Sequence, residues 1–219
     1  MKIAINKAHF PVTVLGPGQR IGIWLQGCSI HCKNCVSQDT WARDPGRETT
    51  VARLMSWCRE IQATAEKIDG ITISGGEPFD QPRALAALLE ALDAWRGSLG
   101  SDFDILCYSG YPYATLQQRH PAILQRLDAL IPEPYADALP MTQIWRGSSN
   151  QLLVPLSPRG RAVYAEHINR AAATGKRMQT CVDGDRVWYI GIPARGDMDA
   201  MARQCAEQGI HFDQVSWKG

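Results

Sequence analysis

The chain has 219 residues, 45% of them hydrophobic and 21% charged, with a formal net charge of +1. That length suits one domain with a substantial core, and the near-neutral balance without a lysine–arginine block excludes the electrostatic footprint of a nucleic-acid binder. No apolar run approaches membrane-spanning length and Met1 to Leu15 has no signal-peptide h-region, so a soluble, cytoplasmic chain with no membrane partner is expected.

In chain order, Ile3 to Ile5 and Val12 to Leu15 read as two short strands around Pro11, followed by a Gly16-Pro17-Gly18 turn. Ile21-Gly22-Ile23-Trp24-Leu25 is an apolar run of the kind that forms a buried strand. It leads into Cys28-Ser29-Ile30-His31-Cys32-Lys33-Asn34-Cys35, where three of the chain's seven cysteines stand in a C-x3-C-x2-C spacing. Residues 36–47 are polar and irregular and end in Asp44-Pro45-Gly46. A helix is predicted from about Thr50 to Ile68, since Val51, Leu54, Cys58, Ile61, Ala65 and Ile68 recur on one face. Gly70 to Ile73 is a short buried strand, and Ser74-Gly75-Gly76-Glu77-Pro78 follows it. A second helix spans about Gln81 to Trp95, and Asp104 to Tyr108 is the next strand, ending at Ser109-Gly110.

Residues 113–127 read as helix in two pieces broken at Pro121, and Ala129-Leu130-Ile131 as a strand. The stretch 132–150, rich in proline and polar residues, reads as a long functional loop. Gln151 to Pro155 is a further strand candidate. A helix with Ser157 as N-cap and Pro158 at its first position is expected to stop before Gly175. Arg177 to Val182 and Val187 to Ile190 read as a hairpin through Asp183-Gly184-Asp185, and a last helix spans about Asp197 to Gln208, stopped by Gly209. The domain reading is an N-terminal extension over 1–20, a core over 21–175, and a hairpin and helix over 176–219 completing the same domain.

Strands alternating with helices predict an α/β fold built on a parallel sheet, with about five or six βα units, fewer than the eight of a closed barrel. Sites in such folds gather where the strands end. The cysteine loop, Gly75-Gly76 and Ser109 each follow a predicted strand and are expected to face one mouth.

Three thiolates on one loop can hold a soft metal or an iron–sulfur cluster. A cubane has four irons, so three cysteines leave one iron open to a substrate or second cofactor. Cys28, His31, Cys32 and Cys35 could instead close a structural zinc site, although His31 directly beside Cys32 is an awkward pair of ligands for one tetrahedral ion. A disulfide framework fits poorly with an odd cysteine count. Cys58, Cys107, Cys181 and Cys205 stand singly and read as packing residues. Two glycines at a strand-to-helix turn permit close backbone approach to a ligand, and Glu77 beside them could receive an ammonium group. A plain tight turn, with Glu77 serving the helix dipole, is the alternative for that stretch taken alone. Trp145 to Gln151 could line a substrate side, contact a partner or be an ordinary polar loop. His9, His120, His167 and His211 read as structural, as do Trp57 and Trp95 on apolar helix faces.

Cys28-x3-Cys32-x2-Cys35 followed by Gly75-Gly76-Glu77-Pro78 resembles the radical S-adenosylmethionine superfamily. Within it the chain is most similar to activating enzymes of glycyl radical enzymes, through Gln26-Gly27-Cys28, Tyr108-Ser109-Gly110-Tyr111 and Trp145 to Gln151. The resemblance implies an incomplete (β/α)6 partial barrel, with a 4Fe–4S cluster on Cys28, Cys32 and Cys35 and S-adenosylmethionine chelated at the open iron. It implies that Gly75, Gly76, Glu77 and Pro78 receive the methionine ammonium, that Ser109 lies near the ribose or methionine part, and that Asn34 borders the adenine. An acidic contact near residue 131 is replaced here by Pro132-Glu133, with Glu133 a weak substitute. One-electron cleavage would give a 5′-deoxyadenosyl radical that takes a hydrogen from a glycine of a partner protein. The alternatives are a peptide or small-molecule substrate, and a non-catalytic zinc or iron–sulfur module. A one-electron donor such as flavodoxin or ferredoxin is implied, and no residue is singled out as catalytic.

Overall fold

The fold is seen in a computed structural model that describes residues 1–99, 102–172, 177–184 and 186–218. The elements in order are β1 (Lys2–Val12), β2 (Arg20–Leu25), β3 (Glu48–Thr50), α1 (Val51–Thr64), β4 (Gly70–Gly75), α2 (Pro82–Leu99) and β5 (Asp104–Tyr108). Then come α3 (Tyr113–Arg119), α4 (Pro121–Leu124), β6 (Ala129–Ile131), β7 (Val154–Pro155), α5 (Pro158–Tyr164), β8 (Met178–Asp183), β9 (Arg186–Gly191) and α6 (Asp197–Glu207).

All six residues of β2 are buried, because it lies inside a seven-stranded sheet of order β3-β1-β2-β4-β5-β6-β7. A strand covered on both faces needs apolar residues at successive positions, which is why the run from Ile21 to Leu25 does not alternate. Its Ile21, Ile23 and Leu25 pack with Ile71 and Ile73 of β4 against Leu54 of α1 and Leu85 and Leu88 of α2. Trp24 points the opposite way, into a smaller cluster with Val12, Val14, Leu15 and Ile190 of β9.

β2, β4, β5 and β6 are parallel, with in-register pairs Leu25↔Gly75 and Ile73↔Cys107 near their C-terminal ends. β1, β3 and β7 add antiparallel edges, so the mixed sheet has four parallel strands where sequence counting gave about five or six βα units. β7 is the main reason: the segment from Gln151 to Pro155 yields a two-residue strand that runs back along β6. At the other edge, Ile3 to Val12 is one continuous strand with a register irregularity between His9 and Val12. Pro11 falls within that irregular stretch, where a missing ladder donor is tolerated. Val14 and Leu15 are buried without being strand.

α1 is capped by the Thr50 hydroxyl, which accepts the Arg53 N–H, and it ends at Thr64. Ile68 therefore joins the core from a loop, beyond the end of the predicted helix. Ser157 caps α5 as expected, its hydroxyl accepting the Gly160 N–H at 2.9 Å. α5 ends at Tyr164 and a short 3-10 turn covers 165–167; the expected stop before Gly175 lies outside the described residues, as does Asp185 of the hairpin turn. The hairpin forms from β8 and β9, and α6 follows it. No helix among the described residues is long and apolar enough to cross a membrane.

The N-terminal ends of the parallel strands are locked by an ion pair that sequence reading missed. Arg20, fully buried at the start of β2, reaches past β4 to Asp104 at the start of β5, with N–O distances of 2.8 and 2.7 Å. Gly70 of β4 makes room for it: a Cβ there would lie 2.1 Å from the guanidinium.

Candidate functional site

At the C-terminal ends of β2, β4 and β5 the chain opens into a cavity of about 580 Å³. Cys28, Cys32, Asn34 and Cys35 line it from the loop after β2, Gly75, Gly76 and Glu77 from the turn after β4, and Ser109 from the end of β5. The expected common mouth is therefore present, because β2, β4 and β5 are sheet neighbours. Pro78 is buried behind the wall, where it starts a 3-10 turn over residues 78–80.

The cysteine loop is held at both ends by backbone. Gly27 N–H donates to Thr40 O at 2.7 Å, Cys28 N–H to Trp41 O at 3.1 Å, and Glu77 N–H to Gly27 O at 2.8 Å. A Cβ on Gly76 would sit 2.1 Å from that Gly27 oxygen, so only glycine lets the two loops touch. Within the loop, His31 and Asn34 take left-handed φ values of 51° and 58°. His31 stacks on Trp41 at 4.8 Å.

Two further residues, Asp80 and Tyr111, clamp the loop. Asp80, two residues beyond Pro78, accepts the Ser29 N–H at 2.7 Å and the Ser29 hydroxyl at 2.9 Å. It also accepts the Tyr111 hydroxyl at 2.8 Å. The Gly-Gly-Glu-Pro turn and the Tyr108-to-Tyr111 motif thus meet on the cysteine loop through Asp80. Nothing in the spacing announces this, since a carboxylate in a first helical turn usually reads as dipole compensation.

Glu77 differs from the simple ammonium receptor that the sequence offers. Its carboxylate is buried and accepts Phe79 N–H at 3.0 Å, Ser109 Oγ–H at 2.9 Å and Gly110 N–H at 2.7 Å. A carboxylate has about four acceptor positions, so three protein donors leave one for a ligand. Ser109 accordingly serves first to hold Glu77. Burial pushes the Glu77 carboxyl up to about 7, against the opposing hydrogen bonds.

This shift carries a pH signature in the apo-protein. Below about 7 the folded chain keeps a proton that the unfolded chain loses at an ordinary carboxylate pKa, so stability falls as pH rises through that window and levels off above it. Glu77→Gln removes the slope, although its amide adds a pH-independent offset against the neighbouring donors. Denaturant midpoints of both proteins between about pH 5 and 8 are expected to diverge in favour of the variant as pH rises. Parallel profiles would refute a titrating Glu77.

Burial raises the thiol pKa of all three loop cysteines, while backbone N–H groups oppose it: those of His31 and Ile30 at Cys28, Tyr135 at Cys32 and Ser37 at Cys35. The surroundings thus orient donors toward sulfur without deprotonating it, and ionisation is left to a bound cation. All three are free thiols facing the same cavity, a donor set that fits an iron–sulfur cluster. Among the described residues no three His, Cys, Asp or Glu side chains are placed as ligands of one ion. A cubane binds three thiolates at three different irons and spaces them more widely than a single ion does. Cys58 and Cys107 are buried in the core, as expected of packing residues.

The loop over 132–150 forms part of the same wall. The Asn34 side chain hydrogen-bonds Asp137 and holds its carboxyl below the usual range. Glu133 lines the cavity, but its carboxylate accepts the Tyr113 N–H at 3.1 Å. Trp145 to Gln151 frames this loop from within. Arg146 is buried on the carbonyls of Ile144, His167 and Ile168, and Gln151 donates to Glu133 O at 3.0 Å. Only Gly147 and Gln151 of that stretch reach the cavity.

The 4Fe–4S single cluster domain family matches residues 14–154. An anaerobic ribonucleoside-triphosphate reductase-activating protein of Vibrio cholerae is 31% identical over 66% of this chain and 94% of its own length. The proteins of the same name from Enterobacteria phage T4 and Escherichia coli are 31% and 28% identical, over 86% and 94% of their lengths and 64% and 66% of this chain. Among solved structures, QueE from Escherichia coli is similar with a TM-score of 0.41 and 21% identity, over 50% of this chain and 53% of that one.

The chain belongs to the 4Fe–4S single cluster domain family, within the radical S-adenosylmethionine superfamily. It is an enzyme of the activase type, with a 4Fe–4S cluster and S-adenosylmethionine as cofactors.

Proposed function

We propose that the protein reductively cleaves S-adenosylmethionine and uses the radical to activate a glycyl radical enzyme, as the names of its relatives imply for a ribonucleotide reductase. One observation carries this: the three free thiols and the Gly75–Glu77 turn share one cavity wall at the ends of adjacent parallel strands. Cys28, Cys32 and Cys35 would hold the cluster. Gly75 and Gly76 would present backbone to the methionine ammonium, with the remaining acceptor position of Glu77 beside it. Ser109 would act mainly by keeping Glu77 in place, and Asn34 would border the adenine side. A bound, reduced cluster would supply one electron to the S-adenosylmethionine sulfonium, and the carbon radical so released beside methionine would take a hydrogen atom from a substrate glycine. This chain's part is to bind, orient and exclude water.

The four parallel strands support the partial-barrel reading of the core over 21–175. Gln179, donating to Pro11 O at 2.6 Å and accepting the Thr13 N–H at 3.0 Å, supports treating 1–20 and 176–219 as parts of the same domain. A cytoplasmic location and a flavodoxin or ferredoxin as electron donor complete the reading. A peptide or small-molecule substrate is the second reading, favoured by cavity-lining residues that lie beyond the family match.

Anaerobic reconstitution with iron and sulfide, then incubation with S-adenosylmethionine and a strong one-electron reductant, tests this. 5′-Deoxyadenosine is the expected product. An intact, reducible cluster that gives none, even with a glycyl radical enzyme present, would defeat the radical reading.

A further inference from the structure

The family match ends at residue 154, yet residues far beyond it return to the segment directly after Cys35. The Ser216 carbonyl accepts the Gln38 N–H at 2.7 Å and the Asp39 N–H at 3.4 Å. Gln38 Nε2 donates to Trp217 O at 3.1 Å. On its other side this C-terminal strap rests on the hairpin. Trp217 and Phe212 pack edge-on against each other and against Tyr189 of β9, with ring centroids 6.3 to 6.4 Å apart. The strap thus bridges β9 and the end of the cysteine loop.

A further contact of the strap reaches a cysteine through one peptide. The Ser216 hydroxyl donates to Val36 O at 2.9 Å, and the Ser37 N–H donates to Cys35 Sγ at 3.4 Å. Val36 O and Ser37 N–H belong to a single planar trans peptide, so they point in opposite directions. Holding the carbonyl therefore fixes the direction of the N–H. A hydrogen bond accepted at the carbonyl also polarises that N–H, as in any hydrogen-bonded chain. Cys28 takes its backbone donors from His31 and Ile30 inside the loop. The peptide that serves Cys35 is instead held from 180 positions away.

We propose that Ser216 is a positioning residue for the iron–sulfur site. Through the Val36–Ser37 peptide it keeps the N–H donor on Cys35 and thereby raises the reduction potential of a cluster bound there. Hydrogen bonds to the sulfurs are among the levers on that potential, because a donor favours the more negative, reduced state. The inference rests on Cys35 being a cluster ligand and is independent of the substrate that the radical attacks.

The test is an anaerobic redox titration of the reconstituted protein, followed by visible absorbance. Ser216→Ala keeps the backbone contacts of the strap and loses only the hydroxyl. Ser216 is half-buried, so the variant is expected to stay folded. Its midpoint is expected to move to a more negative potential. At a fixed potential the ratio of reduced to oxidised cluster should fall by roughly twofold to tenfold, the range of one net hydrogen bond. Ser216→Thr restores the hydroxyl and should return the midpoint to the wild-type value. An unchanged midpoint in Ser216→Ala overturns the proposal, even if iron is lost faster, since that would mark the strap as packing alone. A shift that Ser216→Thr fails to reverse also overturns it. Wild type that takes up no reducible cluster overturns the three-cysteine reading, and the proposal with it.

Discussion

Cys32→Ala is expected to abolish 5′-deoxyadenosine formation and to lower the iron retained after reconstitution, while the chain stays folded. Cys32 is only partly buried on a loop, so its loss removes little core packing. What it removes is a thiol that lines the cavity and faces the Tyr135 N–H. Loss of an outer partner of a metal ligand typically costs about 10–100-fold, so loss of the ligand itself should cost more. Cys58→Ala makes the opposite comparison. Cys58 is fully buried in the core, burial pushes its thiol up to about 12, and it does not line the cavity. That variant should lose stability and keep its cluster and its product. Visible absorbance, iron content and 5′-deoxyadenosine yield separate the two. A Cys32→Ala protein with normal iron and normal product would remove Cys32 from the ligand set and sink the three-cysteine reading.

The parts of this site that were legible in sequence are those written by local spacing. C-x3-C-x2-C, the Gly-Gly-Glu-Pro turn and the buried strands before them are contiguous patterns, and strand adjacency then brought them to one mouth. The short strands from β4 to β6 were readable for the same reason, each being a brief apolar run between turn residues. What was hidden depends on partners far apart in the chain. Asp80 stands in no motif, yet it clamps Ser29, 51 residues earlier. Glu77 looked free for a ligand, and only the return of β5 beside β4 reveals Ser109 and Gly110 as donors to it. The strap at Ser216 and Trp217 carries no motif. Its link to Gln38 spans 179 positions and ends on a backbone carbonyl, which composition cannot display. β7 failed as a parallel strand because nothing in Gln151 to Pro155 encodes direction.

The far end of the same strands makes the second large prediction, on stability. Asp104→Asn is expected to destabilise the apo-protein by about 3–5 kcal/mol, the usual cost of leaving one member of a buried ion pair uncompensated. Arg20 has no exposure and Asp104 only 2%, so water cannot replace the lost charge. The guanidinium would keep its bonds to Thr72 Oγ1 at 2.7 Å and to Ile71 O at 2.9 Å, but these partners are neutral. Tyr164, whose hydroxyl donates to the same carboxylate, would lose its charged acceptor as well. Thermal unfolding should show a fall in Tm of roughly 10 °C. Pairing the change with Arg20→Met should recover part of the loss, since a matched apolar replacement removes both charges together. A single-variant loss under about 1 kcal/mol would mean that the pair is solvated or dispensable, against the burial seen here. The consequence reaches the cavity through geometry. Arg20 and Asp104 brace β2 and β5 across β4 at one end, and those three strands carry the cysteine loop, the Gly75-Gly76 turn and Ser109 at the other. Loosening the brace is therefore expected to weaken cluster retention along with stability, although neither residue touches the site.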